Sequence, residues 1–130
     1  MIKIHGVMQY SLTDYPDEIS TVLFVRDCNF RCRYCHNAAF AWGLNCKELQ
    51  YNDVLNLLLN TKEYLTAVVI SGGEPLLYPN IDKVFNDIKA LGLHCGLHSN
   101  GYNTYKLSDL ILNKTIDFIA MDIKAPIEKY

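Results

Sequence analysis

The sequence predicts an α/β fold in which parallel strands alternate with helices, and three observations carry that reading. Four short runs, Thr21 to Arg26, Ala67 to Ser71, His94 to His98 and Asp117 to Asp122, are of strand length and apolar through their middles, as expected of strands covered on both faces. Amphipathic helical patterns fall between them. Residues that carry chemistry gather just past the ends of the runs, where open α/β sheets and barrels bind ligands.

Taken in order, Ile2 to Met8 mixes apolar and polar residues and predicts a short strand, and Ser11-Leu12-Thr13-Asp14-Tyr15-Pro16 predicts a turn or loop. Tyr51, Val54, Leu55, Leu58 and Leu59 recur at three-four spacing, with Asn52 placed to cap the start. Ile81, Val84, Phe85, Ile88 and Leu91 repeat the pattern, opened by Asn80 and closed by Gly92. Leu107, Leu110 and Ile111 predict a third, weaker helix. Right-handed crossovers send all strand C-termini to one rim. That rim receives Cys28 after the first run, Gly72 to Glu74 after the second, Ser99 to Gly101 after the third and Asp122 to Lys124 after the fourth. The run of strands ends at Tyr130, so the expected architecture is a partial, TIM-like (β/α) barrel or a short open sheet.

A chain of 130 residues predicts one domain, 1–130. Half its residues are hydrophobic and 20% are charged, an ordinary globular balance. A formal net charge of −2 gives no basic field for nucleic acid. No leader-like or bilayer-spanning apolar run is present, so a soluble cytoplasmic protein with no membrane partner is expected. In a reducing cytoplasm the five cysteines are read first as metal or redox groups. Cys46 and Cys95 stand apart and are read as small buried hydrophobes.

The strongest signal is Cys28-Asn29-Phe30-Arg31-Cys32-Arg33-Tyr34-Cys35-His36-Asn37. Three thiolates on one tight loop can hold three irons of a cubane, leaving the fourth open to an outside ligand. Structural zinc, with Cys46 as a distant fourth ligand, is the main rival, and a Cys32-x-x-Cys35 redox dithiol is another. Ser71-Gly72-Gly73-Glu74-Pro75 is the second signal. Glycines there let backbone approach a ligand, and Glu74 offers a carboxylate to an ammonium group. Alone, the segment reads as a turn. Asp122 and Lys124 share a strand face and offer an anion and a cation, or else a solvated pair. Ser99-Asn100-Gly101 reads most simply as a turn. Most of the nine tyrosines are read as packing; Tyr34 is singled out because a ring in the cysteine loop could shelter an adenine.

Together these motifs resemble the radical S-adenosylmethionine superfamily. The cysteine segment, Ser11 to Pro16 and Ala120-Met121-Asp122-Ile123-Lys124-Ala125-Pro126 are similar to activating enzymes of glycyl radical enzymes. Activators of the anaerobic ribonucleoside-triphosphate reductase stand nearest, with pyruvate formate-lyase activase related. The resemblance implies a [4Fe–4S] cluster on Cys28, Cys32 and Cys35 in a radical SAM core shortened at its C-terminus. Its open iron would chelate S-adenosylmethionine, whose reductive cleavage gives a radical that takes hydrogen from a glycine of a partner enzyme. By position, Tyr34 and His36 would line the adenine side, Gly72, Gly73 and Glu74 would meet the methionine, and Cys35 would bind the cofactor as well as the cluster. Ser99, Asn100, Asp122, Ile123 and Lys124 would complete the cofactor contacts, and Asp14 would meet the substrate peptide. A flavodoxin- or ferredoxin-type donor is implied as the electron source.

Two positions depart from the family pattern. His98 stands where members often carry an Asp associated with a monovalent cation, and Asp17 stands where a Gly is usual. Two other functions remain open at this point: a radical SAM enzyme acting on a small molecule, such as a deazapurine-forming enzyme, and a shortened, catalytically silent metal-binding accessory protein.

Overall fold

The computed structural model describes residues 2–44 and 47–130. Its five strands, β1 (Ile4–Ser11), β2 (Ser20–Val25), β3 (Ala67–Gly72), β4 (His94–Ser99) and β5 (Phe118–Met121), form one sheet in the order of the chain. Strands β2 to β5 are parallel, in registers that include Leu23 with Ile70, Ile70 with Leu97 and Leu97 with Ile119. The N-terminal strand departs from that pattern: β1 pairs antiparallel with β2 and runs through to Ser11, three residues beyond its expected end at Met8. A tight connection suffices for an antiparallel neighbour, whereas each parallel pair needs a crossover.

The crossovers run through α2 (Tyr51–Thr61), α3 (Ile81–Ala90) and α4 (Thr104–Leu112); α1 (Ala38–Ala41) is a single turn after the cysteine loop. Most of the residues read as helical periodicity turn inward: Val54 and Leu58, then Ile81, Val84, Phe85 and Ile88, then Leu107 and Leu110 are buried, whereas Leu59 and Ile111 are exposed. Capping differs in detail. Gln50, not Asn52, precedes the first turn of α2, and Asn80 opens α3 without a side-chain bond. Gly92 follows α3 at φ +83, the left-handed stop that glycine adopts without strain.

Sheet and helices share one apolar core. Leu23, Val25, Val68, Ile70, Cys95 and Leu97 alternate along three strands and meet the helical residues in a single cluster. Alternation puts Val69, Ser71, Gly96 and His98 on the opposite face, and a loop covers part of it. A Cβ on Gly96 would lie 3.0 Å from the Tyr15 ring, and that ring packs at 5.0 Å from Phe118 and 6.4 Å from His94. Burial on both faces explains the unbroken apolar run Ala67 to Ile70, all fully buried.

The loop carrying Tyr15 also resolves one departure from the family pattern. Asp17 sits at φ +59, so the left-handed turn a glycine would make there is kept by an aspartate, a residue type that tolerates it.

Candidate metal and cofactor site

The C-terminal ends of the parallel strands open onto a cleft of about 480 Å³, within the range of small-molecule sites. Around it stand Cys28, Cys32, Tyr34, Cys35 and His36 from the loop after β2, Ser71 to Glu74 after β3, and His98 to Asn100 at the end of β4. Asp122 and Lys124 follow β5, and Asp14 belongs to the loop after β1. Motifs scattered over more than a hundred residues of sequence are therefore brought to one wall-to-wall site. Ile123 does not line the cleft and is 69% exposed. Cys95 is fully buried beneath the sheet, and Cys46 lies outside the described residues.

The three thiols of the cysteine loop are half-buried and free of disulfides. Burial pushes the Cys28 thiol up, and the Phe30 amide donating to its sulfur at 3.4 Å opposes that shift. Among the described residues, no three His, Cys, Asp or Glu side chains gather for one metal ion. A single zinc would draw its thiolates to about 2.3 Å of one point; a cubane gives each thiolate an iron of its own. Cys28, Cys32 and Cys35 all line the cleft, and three thiolates without a fourth ligand are a donor set that a cubane accepts.

The Gly-Gly-Glu segment does more than face a ligand. Gly72 adopts φ +108, and a Cβ on Gly73 would lie 1.9 Å from the Asp27 carbonyl oxygen. The backbone that these glycines admit is the exit of β2: Gly73 N–H donates to Val25 at 2.9 Å and Glu74 N–H to Asp27 at 2.8 Å. The paired glycines thus set where the cysteine loop begins.

The Glu74 carboxylate, 2% exposed, accepts from Leu76 N–H at 3.0 Å, Ser99 Oγ at 2.8 Å and Asn100 N–H at 2.8 Å. Desolvation raises its pKa against the pull of those three donors. The sequence reading offered this carboxylate to an ammonium group. Most of its acceptor capacity is instead engaged in tying the end of β3 to the end of β4.

At the far side of the cleft Lys124 Nζ bonds Asp122 Oδ2 at 2.8 Å. Burial lowers the pKa of this ammonium, but the Asp122 bond and charge outweigh it and leave it raised, so the group remains a cation. Across from the pair, Asp14 accepts from Ser11 Oγ, and His98 Nε2 lies 3.1 Å from the Asp14 carbonyl oxygen. A carbonyl can only accept, so Nε2 carries the proton in that contact. The histidine at this departure from the family pattern therefore pins the Asp14 loop to β4. Sequence inspection gave no sign of that pairing, because 84 residues separate the partners.

Residues 22–130 match the family described as the Radical SAM superfamily. The chain belongs to the radical SAM superfamily. The cofactor pair of that family, a [4Fe–4S] cluster and S-adenosylmethionine, is the pair that the sequence resemblance implied. The chain is 34% identical over 132 residues to MJ1227 of Methanocaldococcus jannaschii, assigned by name to the glycyl-radical enzyme activating enzymes; the match covers 98% of this chain and 52% of that one. It is 34% identical over 130 residues to the pyruvate formate-lyase-activating enzyme of Clostridium pasteurianum, covering 95% of this chain and 53% of the relative. The chain thus spans about half the length of these relatives. Among solved structures, QueE from Escherichia coli superposes with a TM-score of 0.62 at 14% identity, over 77% of this chain and 52% of that one. That likeness establishes the fold: a strand-and-helix arrangement of the radical SAM type, partial in extent.

Proposed function

We propose that residues 1–130 form one radical SAM core domain that activates a glycyl radical enzyme, with anaerobic ribonucleoside-triphosphate reductase as the leading partner. The observation that carries this reading is the convergence of three free thiols, the glycine-glycine turn and the Asp122–Lys124 pair on one cleft. The relatives of known name point the same way.

In this reading Cys28, Cys32 and Cys35 ligate three irons and leave the fourth to S-adenosylmethionine. Together the two cofactors supply reductive cleavage of a sulfonium and the hydrogen abstraction that follows from it. The protein's own part is positional. Glu74 locks the ends of β3 and β4 so that Ser99 and Asn100 border the cleft, and Tyr34 and His36 border the adenine side. Lys124 offers a cation to a carboxylate, with Asp122 holding it in place. His98 fixes the Asp14 loop at the mouth, where a glycine-bearing segment of the partner enters. Work in an anaerobic cytoplasm, with a flavodoxin- or ferredoxin-type donor, completes the proposal.

The test is anaerobic reconstitution followed by electron paramagnetic resonance of the reduced protein with and without S-adenosylmethionine. The expected result is a spectrum that changes on adding the cofactor, release of 5′-deoxyadenosine, and a glycyl radical on the reductase when it is present. Cys32→Ser removes essentially all of the cluster signal while far-ultraviolet circular dichroism is retained. A reduced cluster indifferent to S-adenosylmethionine overturns the reading.

A further inference from the structure

The cysteine loop has little structure of its own. Among the described residues its internal bonds are the Cys28 thiol to Asn29 Oδ1 at 3.9 Å, the Phe30 amide to Cys28 Sγ, the Cys35 amide to the Cys32 carbonyl at 3.2 Å, and the Arg31 guanidinium folded back on the carbonyls of Cys28 and Phe30. A segment so sparsely bonded loses much conformational entropy on ordering, so its shape must be imposed from outside.

Its start at Asp27 is held by the Glu74 amide just past β3, but the contacts of the loop proper do not come from that strand. The loop instead reaches over the cleft to the segments after β4 and β5. Asn100 Nδ2 donates to Asn29 Oδ1 at 2.9 Å. The Phe30 ring lies between Tyr102, at 5.9 Å and 74°, and Tyr130, at 5.7 Å and 61°. Both are edge-to-face geometries that aromatic quadrupoles favour. Tyr34 donates to the Lys124 carbonyl at 2.9 Å, and the Tyr130 hydroxyl accepts from Lys124 N–H at 2.6 Å and lies 3.2 Å from the Asp122 carbonyl. The rim is closed across the cleft although the sheet beneath it is open.

We infer that Phe30, Tyr102 and Tyr130 form an aromatic clasp that holds the cysteine loop in its cluster-receiving shape before any cluster is present. These are positioning residues: none supplies a thiol, and each acts by fixing the loop that does. The clasp itself is a property of the metal-free chain, while its effect on a cluster rests on the function proposed above.

Arg31 and Arg33, both exposed within the loop, make trypsin the probe. In the metal-free protein, Tyr102→Ala and Tyr130→Ala leave the cleaved sequence unchanged. Each is expected to speed cutting after Arg31 and Arg33 severalfold, and together by about tenfold or more. Phe30→Ala does the same and Phe30→Tyr restores protection, while the global unfolding transition stays in place because all three rings are at least partly exposed. After reconstitution, the same variants surrender iron to a chelator faster by a comparable factor. Wild-type cutting rates in the double variant overturn the clasp, as does a cluster retained equally by all variants. If wild-type protein takes up no cluster yet the cutting rates shift as stated, the clasp stands and the radical SAM function is what falls.

Discussion

The two ends of the same sheet are built on opposite plans. At the N-terminal ends of the parallel strands several polar groups pair closely with one another. Asp117 accepts from Cys95 N–H at 2.8 Å and from Lys89 Nζ at 3.0 Å, Lys89 also donates to the Lys114 carbonyl at 2.6 Å, and Thr66 bonds Glu18. At the C-terminal ends three thiols, a lysine–aspartate pair and a histidine face open space. One end is satisfied within itself and serves stability; the other keeps its donors and acceptors turned toward a cleft. The difference teaches where to look for chemistry in this chain: where the fold leaves polar groups incompletely used by one another.

Thiol chemistry gives the sharpest test of that contrast. Burial and the nearby Asp117 charge push the Cys95 thiol up to about 12. At pH 8 it is a rare thiolate, shielded by the core, whereas Cys28, Cys32 and Cys35 are half-exposed. Alkylation of the metal-free protein, followed by peptide mass spectrometry, should label the three loop cysteines about a hundredfold faster than Cys95 or more. Comparable labelling of Cys95 would break the comparison. The raised value has a second consequence. The folded chain keeps a proton that the unfolded chain releases above the ordinary thiol range, so this group's contribution to stability falls as pH rises from about 9 toward 12.

A smaller effect is expected at the stable end. Asp117→Ala strands the Cys95 amide and leaves Lys89 with the Lys114 carbonyl alone, and should lower the unfolding free energy by about 2 kcal/mol in urea denaturation. The alkylation rates at the opposite rim should not change. A shift in those rates would show that the two ends are coupled rather than separate.

The smallest effect belongs to the outer helical face, remote from both rims. The Tyr51 hydroxyl and then Lys83 hold the Asp87 carboxyl below its usual range, with Lys83 Nζ at 3.0 Å as an i, i+4 pair. A depressed carboxylate stabilises the fold above its unfolded pKa, and the contribution is lost as pH falls through the ordinary carboxylate range to the lowered value. Lys83→Ala should cost about 0.3 kcal/mol near neutral pH and nothing measurable in acid, as read by thermal unfolding.

Much of the fold was legible because it rests on local pattern. The runs at Thr21, Ala67 and His94 became strands, and the three-four spacings at Val54, Val84 and Leu107 became helices that bury most of the residues of each pattern, Leu59 and Ile111 staying exposed. The rim followed from the strand ends. The antiparallel direction of β1 was not legible, since a mixed apolar run carries no sign of its neighbour. The covering of Gly96 by Tyr15 was equally silent, because it joins residues 81 positions apart through a loop.

By itself, the sequence determined the donor set. The spacing of Cys28, Cys32 and Cys35 places three thiols on one loop whatever surrounds it, and glycines at 72 and 73 permit a backbone approach that no other residue allows. Only the tertiary structure decided what those groups meet. It gave the Glu74 carboxylate to Ser99, Leu76 and Asn100, put His98 against Asp14, and drew Phe30 between Tyr102 and Tyr130. The physical reason is reach: spacing along the chain fixes neighbours within a turn or two, whereas partners tens of residues apart are chosen by the sheet that brings their strand ends together.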